Sequence, residues 1–194
     1  MRKKLLNITL LAVFSCCQFF GQPCFAFLKK DSTVVQGKLA NGLKYYIKEQ
    51  NTNPNKASLQ LVVRAGSVHE LEGEEGLAYF VNHLNLKSNK YFSSQEVQKI
   101  LGELGLSGSA DSVAHTYYDK TTYDLDVAVD HETHLDKALF LLRSWAGEAR
   151  ILSDEVEAER GILHHAWLLH NGRKNKWVDR VLPVLLEGSK YADH

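Results

Sequence analysis

Histidine has more to offer chemically than any other side chain in this sequence, and its placement decides what chemistry is open. Nine histidines occur in 194 residues. Two histidines four apart on a helix share one face and can bind zinc together, and a glutamate between them can take a proton from the metal-bound water. Neither helical arrangement of that kind, H-x-x-E-H or H-E-x-x-H, occurs in the chain. His83 comes nearest, with Tyr79 four residues before it and Asn82 immediately before it. A neutral phenol, with a reference pKa of about 10, is a poor zinc ligand at neutral pH. An amide cannot accept a proton from water, so Asn82 cannot act as a general base. The adjacent pair His164-His165 lies near His170. One reading lets His83 bind a metal weakly with His164 or His165; the other makes these surface or partly buried histidines with backbone partners. His131 and His134 flank a predicted helix start and read as solvent-facing.

The elements that must position these residues follow from periodicity. Asn41-Gly42 marks a hairpin turn between a strand over 34–39 and a second over 43–47. Leu59-Gln60-Leu61-Val62-Val63 reads as a strand, mostly apolar and therefore central in its sheet. Gly73 to Gly76 is an acidic, glycine-bounded approach to a helix over 77–84, whose Leu77, Phe80, Val81 and Leu84 recur at helical spacing and should face the core. Ser93 with Glu96 is a capping box, which predicts a helix from Ser94 to Leu104 that Gly105 stops. The stretch 110–129 is rich in Thr, Tyr and Val. Its clearest strand is 121–129, with Tyr123, Leu125, Val127 and Val129 on one face and Asp124 and Asp126 on the other. Helices are predicted over 135–145, from a cap at Ser153 through Glu159 to Leu169, and over 179–186 with Pro183 interrupting it. Strands, then helices, then strands, then helices, joined by hairpin-type connections, favour an α+β fold: an antiparallel sheet covered by helices. There is no internal repeat and no low-complexity linker.

Composition sets the compartment and excludes some partners. The chain is long enough for one domain with a sizeable core. It carries 23 basic and 23 acidic residues, with no basic excess to suggest nucleic acid. Arg2, Lys3 and Lys4 precede an apolar run, Leu5 to Phe20, and then Cys24-Phe25-Ala26. This layout is that of a secretory signal over residues 1–26, cut after Ala26, and it leaves residues 27–194 as the mature domain. The run is short and polar-interrupted for a membrane anchor. A lipoprotein cut before Cys16 is the other processing route, and the bulky Phe14 fits it poorly. Cleavage removes three basic residues, leaving 20 against 23 acidic and a net charge of −3. It also removes Cys16, Cys17 and Cys24, so the mature chain enters an oxidising periplasmic or extracellular space with no disulfide.

Several stretches together give the chain a likeness. They are Asn41-Gly42-Leu43 with Tyr45-Tyr46-Ile47, then Ala65-Gly66-Ser67 followed by Gly76-Leu77-Ala78, and Glu159-Arg160-Gly161-Ile162-Leu163. With the tail Leu182-Pro183-Val184-Leu185-Leu186 and 188–193, their order and spacing resemble the N-terminal half-domain of the insulinase/pitrilysin zinc metallopeptidases, in its bacterial periplasmic branch. The resemblance covers 34–193. It implies an H-x-x-E-H helix where this chain reads Tyr79-Phe80-Val81-Asn82-His83. It also implies a third ligand, a glutamate seven residues after Glu159, where this chain has Ala166. Of three ligand positions only His83 keeps a donor, and the base position holds Asn82. Glu159 is retained in a role that supports the site. The resemblance further implies that a peptide lies as an added strand beside Val113, Ala114, His115 and Thr116; main-chain pairing does not depend on the side chains there. Alternatively, this strand only completes the sheet. Tyr117, Tyr118 and Tyr123 are either an aromatic contact surface or strand formers.

Three functions are therefore in competition. The first is a catalytically inactive homologue of a zinc metalloendopeptidase, exported and binding a peptide or a second peptidase half or subunit, with no cofactor, no nucleic acid and no membrane contact after cleavage. The second is an active zinc endopeptidase of the family. The third is a truncated fragment without function, since the family's chains continue beyond this point and an isolated piece would expose apolar surface and a sheet edge.

Overall fold

The computed structural model describes residues 30–106, 112–171 and 178–192. The predicted signal segment, with all three cysteines, lies outside the described residues, as does Ala110.

Two compact units divide the chain at Asn51. The first contains one hairpin, β1 (Val34–Lys38) and β2 (Lys44–Lys48), paired antiparallel from Val34↔Lys48 to Lys38↔Lys44. The expected turn closes it. Gly42 takes a left-handed φ of +93°, and the Asn41 side-chain carbonyl accepts from the Leu43 amide at 3.1 Å. Asp31 ties down the entry to β1: it accepts from the Thr33 hydroxyl and amide and from Lys48, and these bonds hold its carboxyl well below the usual range.

The second unit is built on a three-stranded antiparallel sheet of β3 (Lys56–Val63), β4 (Ala114–Thr116) and β5 (Thr121–Ala128), in the order β3-β5-β4. Central placement falls to β5, not to β3. The alternation of β3 explains the difference: Ala57, Leu59, Leu61 and Val63 pack on the core while Val62 faces out, so β3 has one covered face and lies at the sheet's edge among the described residues. Tyr123, Leu125 and Val127 of β5 are buried as their spacing predicts. The opposite face carries Asp124 and Asp126, which accept from Gln60, and from Lys56 and Ser58, across the strand pair.

Among the described residues five α-helices follow the expected order: α1 (Leu77–Asn85), α2 (Ser94–Glu103), α3 (Glu132–Gly147), α4 (Ser153–Asn171) and α5 (Val178–Leu185). Helix α3 packs on β5 and β3, and its Ala138, Leu141 and Trp145 meet Leu125, Val127, Val97 and Leu101 in one core. The capping box of α2 forms: the Ser93 hydroxyl accepts from the Glu96 amide, and the Glu96 carboxylate accepts from the Ser93 amide at 2.8 Å. Pro183 sits inside α5. The antiparallel sheet with helices packed on it is the α+β arrangement read from the element order. Among the described residues no helix is long and apolar enough to cross a membrane.

One expectation fails where the chemistry lies. Leu84 of α1 is buried, but Leu77 and Val81 are each 43% exposed. The helix instead turns Asn82, His83, Leu84 and Asn85 inward. Its inward face is polar because it meets a polar partner, as the site geometry makes plain.

Candidate functional site

Helix α1 is fixed at both ends by polar contacts. At its start, Gly76 adopts φ +90° and the Glu70 carboxylate reaches across to accept from the amides of Gly76 at 2.9 Å and Ala78 at 2.7 Å. Two backbone donors that the helix leaves open are thereby filled, with negative charge at the positive end of the helix dipole. At its end, the Asn85 amide donates to the Tyr123 hydroxyl and to the Trp145 carbonyl, both at 2.8 Å. Burial pushes the Tyr123 phenol up from its ordinary range, and the Asn85 bond opposes that shift.

Between these ends α1 meets α4. The imidazole Nδ1 of His83 lies 2.8 Å from Oε1 of Glu159, and both side chains are buried, Glu159 to 2% exposure. A carboxylate accepts, so this contact assigns the Nδ1 proton to His83. The Lys87 ammonium lies 2.8 Å from the other oxygen, Oε2, as an ion contact off the hydrogen-bonding direction. One turn earlier on α4, Glu155 accepts from the Ser88 hydroxyl at 2.7 Å. A buried carboxylate is stable only with such partners; here Glu159 has a cation on one oxygen and an imidazole donor on the other.

The remaining residues of the site contribute less chemistry. The Tyr79 ring stands edge-on to the His83 ring at a centroid distance of 4.5 Å. Asn82 is 2% exposed, and its side-chain carbonyl has no hydrogen-bond partner. Ala166 is half-buried on α4, while His164 and His165 are exposed there. Among the described residues no group of three or more His, Cys, Asp or Glu side chains is placed to hold a metal ion. A zinc site needs three or four deprotonated or neutral N, O or S donors in tetrahedral array. His83, a phenol at 79 and a methyl group at 166 do not fit that requirement. His131 and His134 stack on one another at 5.0 Å near the start of α3, away from these groups in sequence.

The expected peptide-binding strand is β4. It pairs with β5 on one side, and its other edge is unpaired among the described residues. Val113 and Ala114 are buried, His115 is exposed, and the strand packs beside α1. Beyond it, the Tyr117 and Tyr118 carbonyls accept from the amides of Ser67 and Val68. That close approach explains Gly66, where a Cβ would lie 2.1 Å from the Tyr117 carbonyl oxygen. Tyr117 and Tyr118 have exposed rings, whereas Tyr123 is buried in the core.

Lys87, Glu155 and Ser88 were not singled out from the sequence. Lys87 follows His83 by four residues, the helical spacing that puts two side chains on one face. That spacing was the available signal, and it was weakened because α1 ends at Asn85.

The sequence and the fold have counterparts. The chain is 28% identical over 173 residues to the probable zinc protease PqqL of Escherichia coli (strain K12), a match covering 89% of this chain and 19% of that protein. It is 31% identical over 157 residues to a zinc protease PQQL-like protein of Arabidopsis thaliana, covering 81% of this chain and 16% of that one. The chain thus spans about a fifth or less of the length of these relatives. Its fold superposes on the crystal structure of the first half of the periplasmic protease PqqL from Escherichia coli with a TM-score of 0.77 at 28% identity, over 86% of this chain and 36% of that one. The sequence profile of the insulinase family, peptidase family M16, matches residues 45–183, and the chain belongs to that family.

Proposed function

We propose that this chain is a zinc-peptidase relative that has lost its metal chemistry and binds an extended peptide, or a strand of a second peptidase half, along the free edge of β4. The observation that carries the reading is the donor set around His83: a phenol at Tyr79 and a methyl group at Ala166 leave His83 as the one histidine of the set, short of the three or four donors zinc needs. Glu159 meets Lys87 and His83, so its buried charge is balanced by the protein's own groups. Asn82 adds to it, because the amide at the base position cannot take a proton from water. The edge of β4 supports binding without catalysis, since strand addition uses main-chain groups.

The compartment belongs to the same proposal. The signal-like residues 1–26 and the likeness to a periplasmic protease support a location outside the cytoplasm.

The relatives named as zinc proteases keep proteolysis as the competing reading. The test incubates purified protein with an unstructured peptide and added zinc, with and without a chelator. The expected outcome is saturable binding, followed by fluorescence polarisation, with the peptide left intact. Chelator-sensitive cleavage overturns the proposal.

A further inference from the structure

A pocket of about 280 Å³ opens where the start of α1 meets the end of β3. Val63 and Ala65 from the end of β3, with Leu77 and Val81 from α1, give it an apolar wall. Its size suits a short side chain or fragment rather than a drug-sized ligand. Asn82 also lines it, but the Asn82 carbonyl oxygen is buried out of reach of a ligand. The Thr121 hydroxyl donates to the Ala65 carbonyl, Asn85 donates to the Tyr123 hydroxyl, and the His69 ring meets the Gly66 backbone through Nδ1.

The charge in the pocket is of one sign. Glu70 and Glu74 both line it, and no lysine or arginine does. Glu74 is exposed and Glu70 is half-buried, so a ligand in the pocket meets both. Their recorded partners are neutral amides: Glu70 accepts from Gly76 and Ala78, and Glu74 accepts from Leu71 at 3.1 Å. The start of α1 contributes a positive partial charge of roughly one half, which two carboxylates exceed about fourfold. An anion is therefore repelled. A neutral molecule would strip water from the carboxylates and give no charge in return. A bare metal ion does not fit either, since among the described residues no three His, Cys, Asp or Glu side chains converge on a point. An organic cation with an apolar body meets both halves of the pocket.

We infer that this pocket binds a primary ammonium group on a short apolar stem, with the stem against Val63, Ala65, Leu77 and Val81 and the ammonium beside Glu74 and Glu70. Burial of the stem drives entry, and the charge selects what enters. This inference does not depend on the loss of zinc chemistry or on the edge of β4, because it uses neither His83 nor that strand.

Protein-observed NMR on the full chain tests it, with n-pentylammonium, 1-pentanol and pentanoate as probes of equal stem length. The ammonium should bind about three- to tenfold tighter than the alcohol, and pentanoate more weakly than either. Saturable amide shifts should centre on Val63, Gly66, Leu77 and Val81. Raising salt from about 20 to about 500 mM should shrink the preference for the ammonium and leave the alcohol unchanged. Glu74→Gln, at an exposed position whose amide oxygen can still accept from Leu71, should cut that preference at least about twofold, and Glu74→Lys should abolish it. A lysine-containing peptide and its norleucine twin locate the source. Competition by the lysine peptide alone assigns the group to a peptide side chain, and no competition assigns it to a free amine; either result supports the pocket's chemistry. Equal binding of the ammonium and the alcohol to the parent, no binding at millimolar concentration, shifts centred elsewhere, or a preference unchanged in both Glu74 variants overturns the inference.

Discussion

Nδ1 of His83 sits 2.8 Å from Oε1 of Glu159, 76 residues later in the chain, with both side chains buried. The contact joins α1 to α4 and, through Lys87 on the other carboxylate oxygen, closes a three-residue charge network. Each member depends on the others, which makes the network testable by single and paired substitution.

Lys87→Met removes the ammonium and leaves a buried carboxylate with one partner. It should destabilise the fold by about 1–3 kcal/mol in urea unfolding. Glu159→Gln should destabilise by a similar amount. The double variant should lose less than the sum, because neither charge is then stranded. Strict additivity would mean that the two side chains do not act together.

Gly66→Ala should be among the more damaging single changes outside the core. The added methyl would collide with the Tyr117 carbonyl and push apart the bonds from Ser67 and Val68. A loss of about 1–3 kcal/mol is expected from such overpacking. Urea titration followed by circular dichroism checks it; an unchanged midpoint would contradict the close approach.

Acid sensitivity should trace partly to Asp126. Bonds from Lys56 and Ser58 hold its carboxyl below the ordinary range in the folded state. The unfolded chain therefore takes up this proton at a higher pH than the folded one. The contribution to stability is present above the unfolded pKa, about 3.9, and is lost as pH falls through the lower folded value. The group is half-exposed, so the effect is under about 1 kcal/mol. Asp126→Asn should flatten the stability curve below about pH 4 relative to the parent.

Much of the fold was legible before the structure because local signals agreed with it. The alternation of Tyr123, Leu125 and Val127, the Ser93–Glu96 box and the Asn41-Gly42 turn each name an element and its orientation. The orientation of α1 was not legible. A hydrophobic stripe predicts burial of Leu77 and Val81, but tertiary contacts from Glu159, Tyr123 and Trp145 draw the polar His83 and Asn85 inward instead, and Asn82 is buried with them. The role of β5 as the central strand was hidden as well, since β3 reads as the more apolar segment although only one of its faces is covered. The His83–Glu159 contact spans 76 residues, and no local pattern encodes a pairing at that distance. Only the likeness of the Glu159 segment to a known family drew attention to it.

Zinc content after purification tests the central claim most directly, measured on the parent and on a variant carrying Tyr79→His, Asn82→Glu and Ala166→Glu. The parent should hold less than one zinc per chain, because it offers a single ligand at His83, and the triple variant should gain one. Stoichiometric zinc in the parent would contradict the account.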